Sequence, residues 1–118
     1  MSRPSTYFID IDGTILEHKG SGASWQWLSD AKALPGAVQF LNDLESLGHH
    51  IVLVTGRPEH YRSTLVKLLA NHGIVYHQLV MGITSGMRII INDRKPDMPE
   101  SCIAFSIPRN GDLTEAMS

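Results

Sequence analysis

The chain has 118 residues, with 10 basic and 12 acidic side chains and a formal net charge of −2 at pH 7. A chain of this length forms one domain with a real core and has no room for two. The slightly acidic balance argues against a general nucleic-acid-binding surface, so nucleic acid is an unlikely partner. We therefore predict a single domain over residues 1–118.

The sequence shows no signal for export or for membrane insertion. Its first residues lack the apolar segment of a signal peptide, and its longest apolar stretches are much shorter than a membrane span. Cys102 is the single cysteine, which excludes an internal disulfide and is typical of a reducing compartment. Because Cys102–Phe105 is mostly apolar, we interpret this cysteine as a core thiol. We expect a cytoplasmic protein with no membrane partner.

The first predicted element is a buried strand, Tyr7–Ile9, which leads into two carboxylates. Asp10 and Asp12 are spaced i, i+2, and such residues in an extended segment point to the same side. Two adjacent carboxylates are costly to bury unless a cation neutralises them, and Mg²⁺ prefers oxygen ligands of this kind. Gly13 permits a sharp turn after the strand. The simpler alternative is an Asp-Gly turn with no further role.

Residues 17–33 are polar and rich in Gly and Ser, and we interpret them as a loop with one short helix from Ser24. The loop contains Trp25 and Trp27, whose spacing prevents them from sharing one helical face. The favoured interpretation is that they cap the edge of the core, and the alternative is that one covers something else. No apolar set in this loop is large enough for an inserted domain.

The middle of the chain alternates helices with strands. A helix is predicted from Pro35 to about Leu47 and a second from about Pro58 to His72, because apolar residues recur there at helical spacing. Short apolar runs bounded by turn residues predict strands. The predicted strands after the first are Ile51–Val54, Gln78–Met81, Arg88–Ile91 and Cys102–Ser106.

This alternation predicts an α/β fold, a parallel sheet with helices on both faces. In such sheets ligands bind beyond the carboxyl ends of the strands. Polar residues end three of the predicted strands, so we expect them to converge on one edge of the sheet. These residues are Asp10 with Asp12, Thr55, and Asn92 with Asp93.

The basic residues are concentrated in the second half of the chain. The simplest interpretation is solvated surface charge. The alternative is a local positive region near a bound anion. The residues concerned are Arg57, Arg62, Lys67, Arg88, Arg94, Lys95 and Arg109.

Three motifs, in order, resemble those of the haloacid dehalogenase superfamily. Phe8–Thr14 matches the first motif, D-x-D-G-T; Val52–Arg57 matches the second, an apolar strand ending in Thr; and Ile89–Asp93 matches the fourth, an apolar strand ending in an acidic pair. The resemblance covers Phe8 to about Phe105 and implies a single Rossmann-like domain. The gaps between motifs are too short for the large cap domain of bigger members. A weaker likeness is to small bacterial or phage phosphatases, some linked to sugar or polysaccharide pathways.

The resemblance implies a Mg²⁺-dependent phosphomonoesterase. Asp10 would be the nucleophile that forms an aspartyl-phosphate, and Asp12 the general acid/base. Asp12 favours a phosphatase because dehalogenases of the family lack this second carboxylate. The implied metal ligands are Asp10, the backbone carbonyl of Asp12, and Asp93, while Thr55 and Gly56 would bind the phosphoryl group.

Two positions depart from the family pattern. The third motif is a Lys or Arg, yet no Lys occurs between Ile74 and Met87. Arg88 is the nearest replacement and Lys67 is an alternative, although both can also be plain surface charges. The fourth motif has Asn92 in place of an acid, and Asp97 could serve in the outer shell of the metal.

The expected substrate is a small phosphorylated metabolite, with a sugar phosphate favoured. A capless site is open, so it can accept large substrates or be covered by another subunit of a homo-oligomer. Ile91–Arg94 also resembles the phosphatase domain of polynucleotide kinases, which makes a polynucleotide 3′-end phosphatase an alternative. A non-catalytic binding module that keeps the fold is a further alternative.

Overall fold

The computed structural model describes residues 3–20 and 30–116. The predicted short helix from Ser24 and both tryptophans, Trp25 and Trp27, therefore lie outside the described residues. The strands are β1 (Thr6–Asp10), β2 (His50–Val54) and β3 (Gln78–Val80), and the helices are α1 (Ala37–Ser46), α2 (Arg62–Asn71) and α3 (Leu113–Ala116). A short 3₁₀ turn, Glu59–Tyr61, precedes α2.

The three strands form one parallel sheet in the order β1-β2-β3. The register pairs Asp10 with Val54 and Val54 with Val80, so the three carboxyl ends lie level with one another. The loops that follow the strands therefore meet at a single edge. The predicted α/β fold with a parallel sheet is confirmed.

The core forms where the apolar sides of the helices pack on this sheet. The two longer helices, α1 and α2, each have buried leucines at helical spacing, as expected for an amphipathic surface helix. The fully buried aliphatic side chains include Ile11, Ile15, Leu16, Leu41, Ile51, Leu53, Leu65 and Leu69. Within the described ranges, no helix is both long enough and apolar enough to cross a bilayer.

The fourth and fifth predicted strands, Arg88–Ile91 and Cys102–Ser106, do not form. Their β-branched and aromatic residues favour strands, but a strand also needs a partner that supplies a ladder of hydrogen bonds. Between residues 87 and 106 the backbone makes only an isolated bridge, from Lys95 to Met98. Cys102 is exposed, so its interpretation as a core thiol is wrong.

The last helix, α3, has no counterpart among the predicted elements. It is short, and it is fixed by Leu113, which is buried in the core. The carboxylate of Asp112 accepts a hydrogen bond from the Thr114 backbone N–H at 2.9 Å, which satisfies one of the open donors at the start of the helix. Just before this helix, the Asn110 backbone N–H donates to the Gly13 carbonyl oxygen, which joins the segment to the turn after β1.

Candidate functional site

A cleft of about 300 Å³ lies at the carboxyl end of β1. Ile11 accepts hydrogen bonds on its carbonyl oxygen from the backbone N–H groups of Thr14, Ile15 and Leu16, at 3.0–3.2 Å. This tight turn follows Asp10 directly and presents the polar side chains of the segment to one opening. The cleft is lined by Asp10, Asp12, Gly13, Thr14, Ile107 and Arg109.

Gly13 allows the segment around Arg109 to approach the cleft. Its φ of +91° is strained for other residues, and a Cβ there would lie 3.2 Å from Cγ of Arg109. The Asn110 backbone N–H donates to the Gly13 carbonyl oxygen at 2.8 Å. The sequence analysis did not predict Arg109 as a site residue and listed it only among the basic residues. Nothing in the sequence pattern relates it to the Asp-Gly turn.

Asp10 lies at the last position of β1 with a half-buried carboxylate. The Thr14 hydroxyl is 3.5 Å from its Oδ2, and Nη2 of Arg88 is 3.7 Å from its Oδ1. Burial raises the pKa of Asp10 above its ordinary value, and the nearby Asp12 charge adds to this. The Arg88 cation acts in the opposite direction and lowers this pKa. Asp10 is therefore a carboxylate whose charge is costly and only partly compensated by the protein.

Asp12 is held by a buried arginine from the loop after β2. Arg57 donates from Nε to Oδ2 at 3.0 Å and from Nη2 to Oδ1 at 2.7 Å. The Arg57 side chain is fully buried, whereas that of Asp12 is 16% exposed. Such a two-point pair fixes the plane of the carboxylate as well as its position. The sequence did not assign Arg57 to the site, although an arginine directly after a buried strand needs a carboxylate partner.

Thr55 and Gly56 are not among the residues that line the cleft. Thr55 is buried, and its hydroxyl accepts a hydrogen bond from the Arg57 backbone N–H at 3.1 Å. A Cβ at Gly56 would lie 3.3 Å from the Ile83 carbonyl oxygen, because the loop after β3 packs closely here. In this arrangement Thr55 and Gly56 shape the loop that presents Arg57 to Asp12.

Of the two candidates for the third motif, the structure places Arg88 beside Asp10. The Arg88 guanidinium also donates from Nη1 to the carbonyl oxygens of Thr84 and Gly86, at 2.8 and 2.6 Å. These bonds hold it over the carboxyl ends of the strands. Lys67 is exposed on α2, without a described contact to the cleft.

Asp93 is not brought to the two aspartates. It is exposed and pairs with Lys95 at 2.6 Å, an interaction that lowers the pKa of Asp93. The amide of Asn92 donates to the Ser101 carbonyl oxygen at 3.1 Å, and Asp97 pairs with Arg3. Among residues 3–20 and 30–116, no group of three or more His, Cys, Asp or Glu side chains could hold a metal ion.

The donors in the cleft fit a hard cation in part. The carboxylate of Asp10 faces the cleft, and the Asp12 side chain is engaged by Arg57. The family resemblance implies the Asp12 backbone carbonyl as the second oxygen donor for a cation such as Mg²⁺. Asp93, the predicted third protein ligand, lies elsewhere in this arrangement.

Comparisons with known proteins bear on both the sequence and the fold. The family model of HAD superfamily subfamily IIIB (acid phosphatase) matches residues 2–98. No curated protein matches the chain. A solved chain of the Pnkp1/Rnl/Hen1 complex is similar with a TM-score of 0.60 and 23% identity, over 77% of this chain and 31% of that one. A structural-genomics target from Vibrio cholerae is similar with a TM-score of 0.52 and 18% identity, over 80% of this chain and 84% of that one. At identities of 23% and 18%, these two similarities show that the folds are alike and nothing further.

We predict that Arg57→Met lowers the free energy of unfolding by about 3 kcal/mol or more, because it leaves the Asp12 carboxylate without its buried partner. The measurement is urea denaturation of the purified variant. The matched control is Arg3→Met, which removes an exposed pair with Asp97 and should cost less than about 1 kcal/mol. Equal losses in the two variants would contradict the structural role of Arg57.

We predict that Asp10→Asn raises the melting temperature at pH 7 in the absence of divalent cations. The folded-state pKa of Asp10 is raised, so the native state loses stability as the pH rises from the ordinary pKa of an aspartate to the folded-state pKa, and the loss is complete above it. The advantage of the variant should shrink as the pH falls and vanish below about 3.9, the ordinary pKa of an aspartate. A variant that melts below the wild type at pH 7 would show that the Arg88 interaction outweighs burial.

Proposed function

The chain belongs to the HAD superfamily, subfamily IIIB (acid phosphatase); on this premise we propose that it is a phosphatase, a hydrolase of phosphoric monoesters, and that it acts through an aspartyl-phosphate on Asp10. The observation that carries the proposal is the pair of carboxylates in one cleft with different surroundings. Asp10 is half-buried beside the exposed Arg88, and Asp12 is fixed by the buried Arg57. Two carboxylates in unlike environments can take two different roles.

In the first step, an oxygen of the Asp10 carboxylate forms a bond to phosphorus as the bond from phosphorus to the leaving oxygen breaks. Asp12 gives its proton to that leaving oxygen. In the second step, Asp12 takes a proton from water, whose oxygen displaces Asp10 and releases phosphate. Each carboxylate oxygen has a second lone pair, so Asp12 can carry this proton while Arg57 holds its plane.

Charge in the cleft supports binding of a phosphate group. Arg88 lies beside Asp10, and Arg109 lines the cleft. Two guanidinium groups can offset the charge of a phosphoryl dianion and bind its oxygens. The roles of Thr55 and Gly56 as phosphate ligands stay predictions from the sequence, since their described contacts are with the Arg57 loop.

Phosphatases of this superfamily commonly use a divalent metal. We propose Mg²⁺ held by the Asp10 carboxylate and the Asp12 backbone carbonyl, which are hard oxygen donors. When bound, Mg²⁺ reduces the repulsion between the attacking carboxylate and the phosphate. Asp93 remains the candidate third ligand from the sequence, and it would have to leave Lys95 to reach the cleft.

A small phosphorylated metabolite is the proposed substrate. The cleft volume of about 300 Å³ is at the lower end of the range for small-molecule sites. The net charge of −2 gives a polyanion little long-range attraction. The preference for a sugar phosphate rests on the weaker sequence likeness to phosphatases of sugar and polysaccharide pathways.

A polynucleotide 3′-end phosphatase is the second candidate. The likeness of Ile91–Arg94 to polynucleotide kinase phosphatases and the structural similarity to the Pnkp1/Rnl/Hen1 complex favour it. A competition among sugar phosphates, nucleotides and a 3′-phosphorylated oligonucleotide separates the two. If the oligonucleotide leads in kcat/KM by about tenfold, or about 1.4 kcal/mol in transition-state binding, the second candidate replaces the first.

We predict that Asp10→Asn lowers kcat/KM for p-nitrophenyl phosphate by about a thousandfold or more, because an amide cannot form the covalent intermediate. The control is Asp97→Asn, an exposed aspartate paired with Arg3, which should keep wild-type activity within about twofold. Retention of most activity in Asp10→Asn, in a preparation free of other phosphatases, would reject the mechanism.

We predict that Mg²⁺ raises the melting temperature of the wild type and that Asp10→Asn loses this rise, because ligand binding stabilises the native state by mass action. Asp97→Ala should keep the rise. Asp93→Ala then separates two arrangements: a smaller rise than in Asp97→Ala makes Asp93 a ligand, whereas an equal rise leaves it on the surface with Lys95. A rise retained in Asp10→Asn would contradict the proposed metal site.

A further inference from the structure

A tight turn formed by Pro108–Gly111, here called the Arg109 turn, has Arg109 and Asn110 at its centre. The Gly111 backbone N–H donates to the Pro108 carbonyl oxygen at 3.0 Å, which closes the turn. Asn110 has a φ of +60°, and among residues 3–20 and 30–116 it is the one residue other than glycine with a positive φ. A backbone held in this region by its surroundings points to a functional constraint.

Asn110 joins the Arg109 turn to the segment after β1 through three hydrogen bonds. Its backbone N–H donates to the Gly13 carbonyl oxygen at 2.8 Å. Its side-chain Oδ1 accepts from the His18 backbone N–H at 2.7 Å, and its Nδ2 donates to the His18 carbonyl oxygen at 3.2 Å. A side-chain amide carries both a donor and an acceptor, which this two-point contact with one backbone residue requires. Asn110 therefore fixes a turn to a segment that is 92 positions away in the chain.

Arg109, the neighbour of Asn110, is held at the cleft by this attachment. In the described part of the chain, it is the one basic residue among those that line the cleft. Its side chain is exposed, and its Cγ lies over Gly13, which has no side chain to displace it. Within residues 3–20 and 30–116, its guanidinium makes neither an ion pair nor a hydrogen bond. The guanidinium is therefore available to an anion that enters the cleft.

The two arginines near Asp10 are positioned in different ways. Arg88 is held by its own side chain, which donates to the carbonyl oxygens of Thr84 and Gly86. Arg109 has no such bonds, so its place depends on the backbone of its turn and thus on Asn110. A turn that is already fixed reduces the cost of ordering the arginine when an anion binds. Asn110 is the residue that supplies this preorganisation.

We propose that Asn110 is a positioning residue for Arg109, whose guanidinium binds the non-reacting oxygens of the phosphoryl group. The proposal rests on the proposed phosphatase function. Asn110 itself does not touch the substrate and acts only through Arg109. The non-reacting oxygens are present in the substrate and in the transition state, so this contact contributes to both equally. Its loss should therefore raise KM and leave kcat nearly unchanged.

Steady-state kinetics with p-nitrophenyl phosphate test the role of Arg109. Arg109→Met should raise KM by about tenfold or more and change kcat by less than about threefold. Arg109→Lys, which keeps the charge but not the planar donor group, should give a KM between those of the wild type and Arg109→Met. The control is Arg3→Met, which removes the same charge just before β1 and should keep KM within about twofold.

A double-mutant cycle tests the role of Asn110. Asn110→Gly accepts the positive φ, so it removes only the two side-chain hydrogen bonds to His18. It should raise KM by about fivefold in the wild type and by less than about 1.5-fold in Arg109→Met, because the two residues act through one contact. The same factor in both backgrounds, or a loss confined to kcat, would show that Asn110 has only a structural role.

Calorimetric titration with inorganic phosphate separates this proposal from the proposed function. Arg109→Met and Asn110→Gly should each weaken phosphate binding by about the factor seen in KM. If the wild type binds phosphate in this Arg109-dependent way but does not hydrolyse the ester, the proposed function fails and the positioning role stands. A wild type that does not bind phosphate, or binds it no more tightly than Arg109→Met does, would overturn the positioning role. Circular dichroism establishes that each variant is folded.

Discussion

The pair between Arg57 and Asp12 is the interaction on which the arrangement of the cleft depends. It joins the loop after β1 to the loop after β2, and it does so with a fully buried guanidinium. An isolated buried charge is costly, so each partner requires the other to be in place. Thr55 fixes the Arg57 backbone, and Gly56 lets the loop after β3 approach. Thr55, Gly56 and Arg57 thus hold together the loops at the carboxyl ends of the three parallel strands.

This arrangement of the loops explains how two nearby carboxylates can have different environments. Asp12 is oriented by two hydrogen bonds from one side chain, whereas Asp10 has a longer contact to Arg88 and a strand end that is only partly open to solvent. Burial and the Asp12 charge both raise the pKa of Asp10. The energetic cost of ionised Asp10 is what a bound cation would relieve, which relates the electrostatics of the cleft to its proposed chemistry.

The segment of residues 87–106 connects the cleft to the rest of the molecule. Arg88 at its start and Ile107 just beyond its end both lie at the carboxyl end of β1. Most of the large apolar side chains between them are exposed, so this segment has the composition of a β-strand but forms no strand.

The sequence by itself determined the first three strands, the two long helices and the Asp10/Asp12 pair at a strand end, because local periodicity and turn residues encode those features. It could not decide the partner of Arg57 or the approach of Arg109, since both join residues far apart in the chain. It also predicted strands at Arg88–Ile91 and Cys102–Ser106, where propensity is strong. Whether such segments become strands depends on a neighbouring strand, and only the tertiary structure decides that.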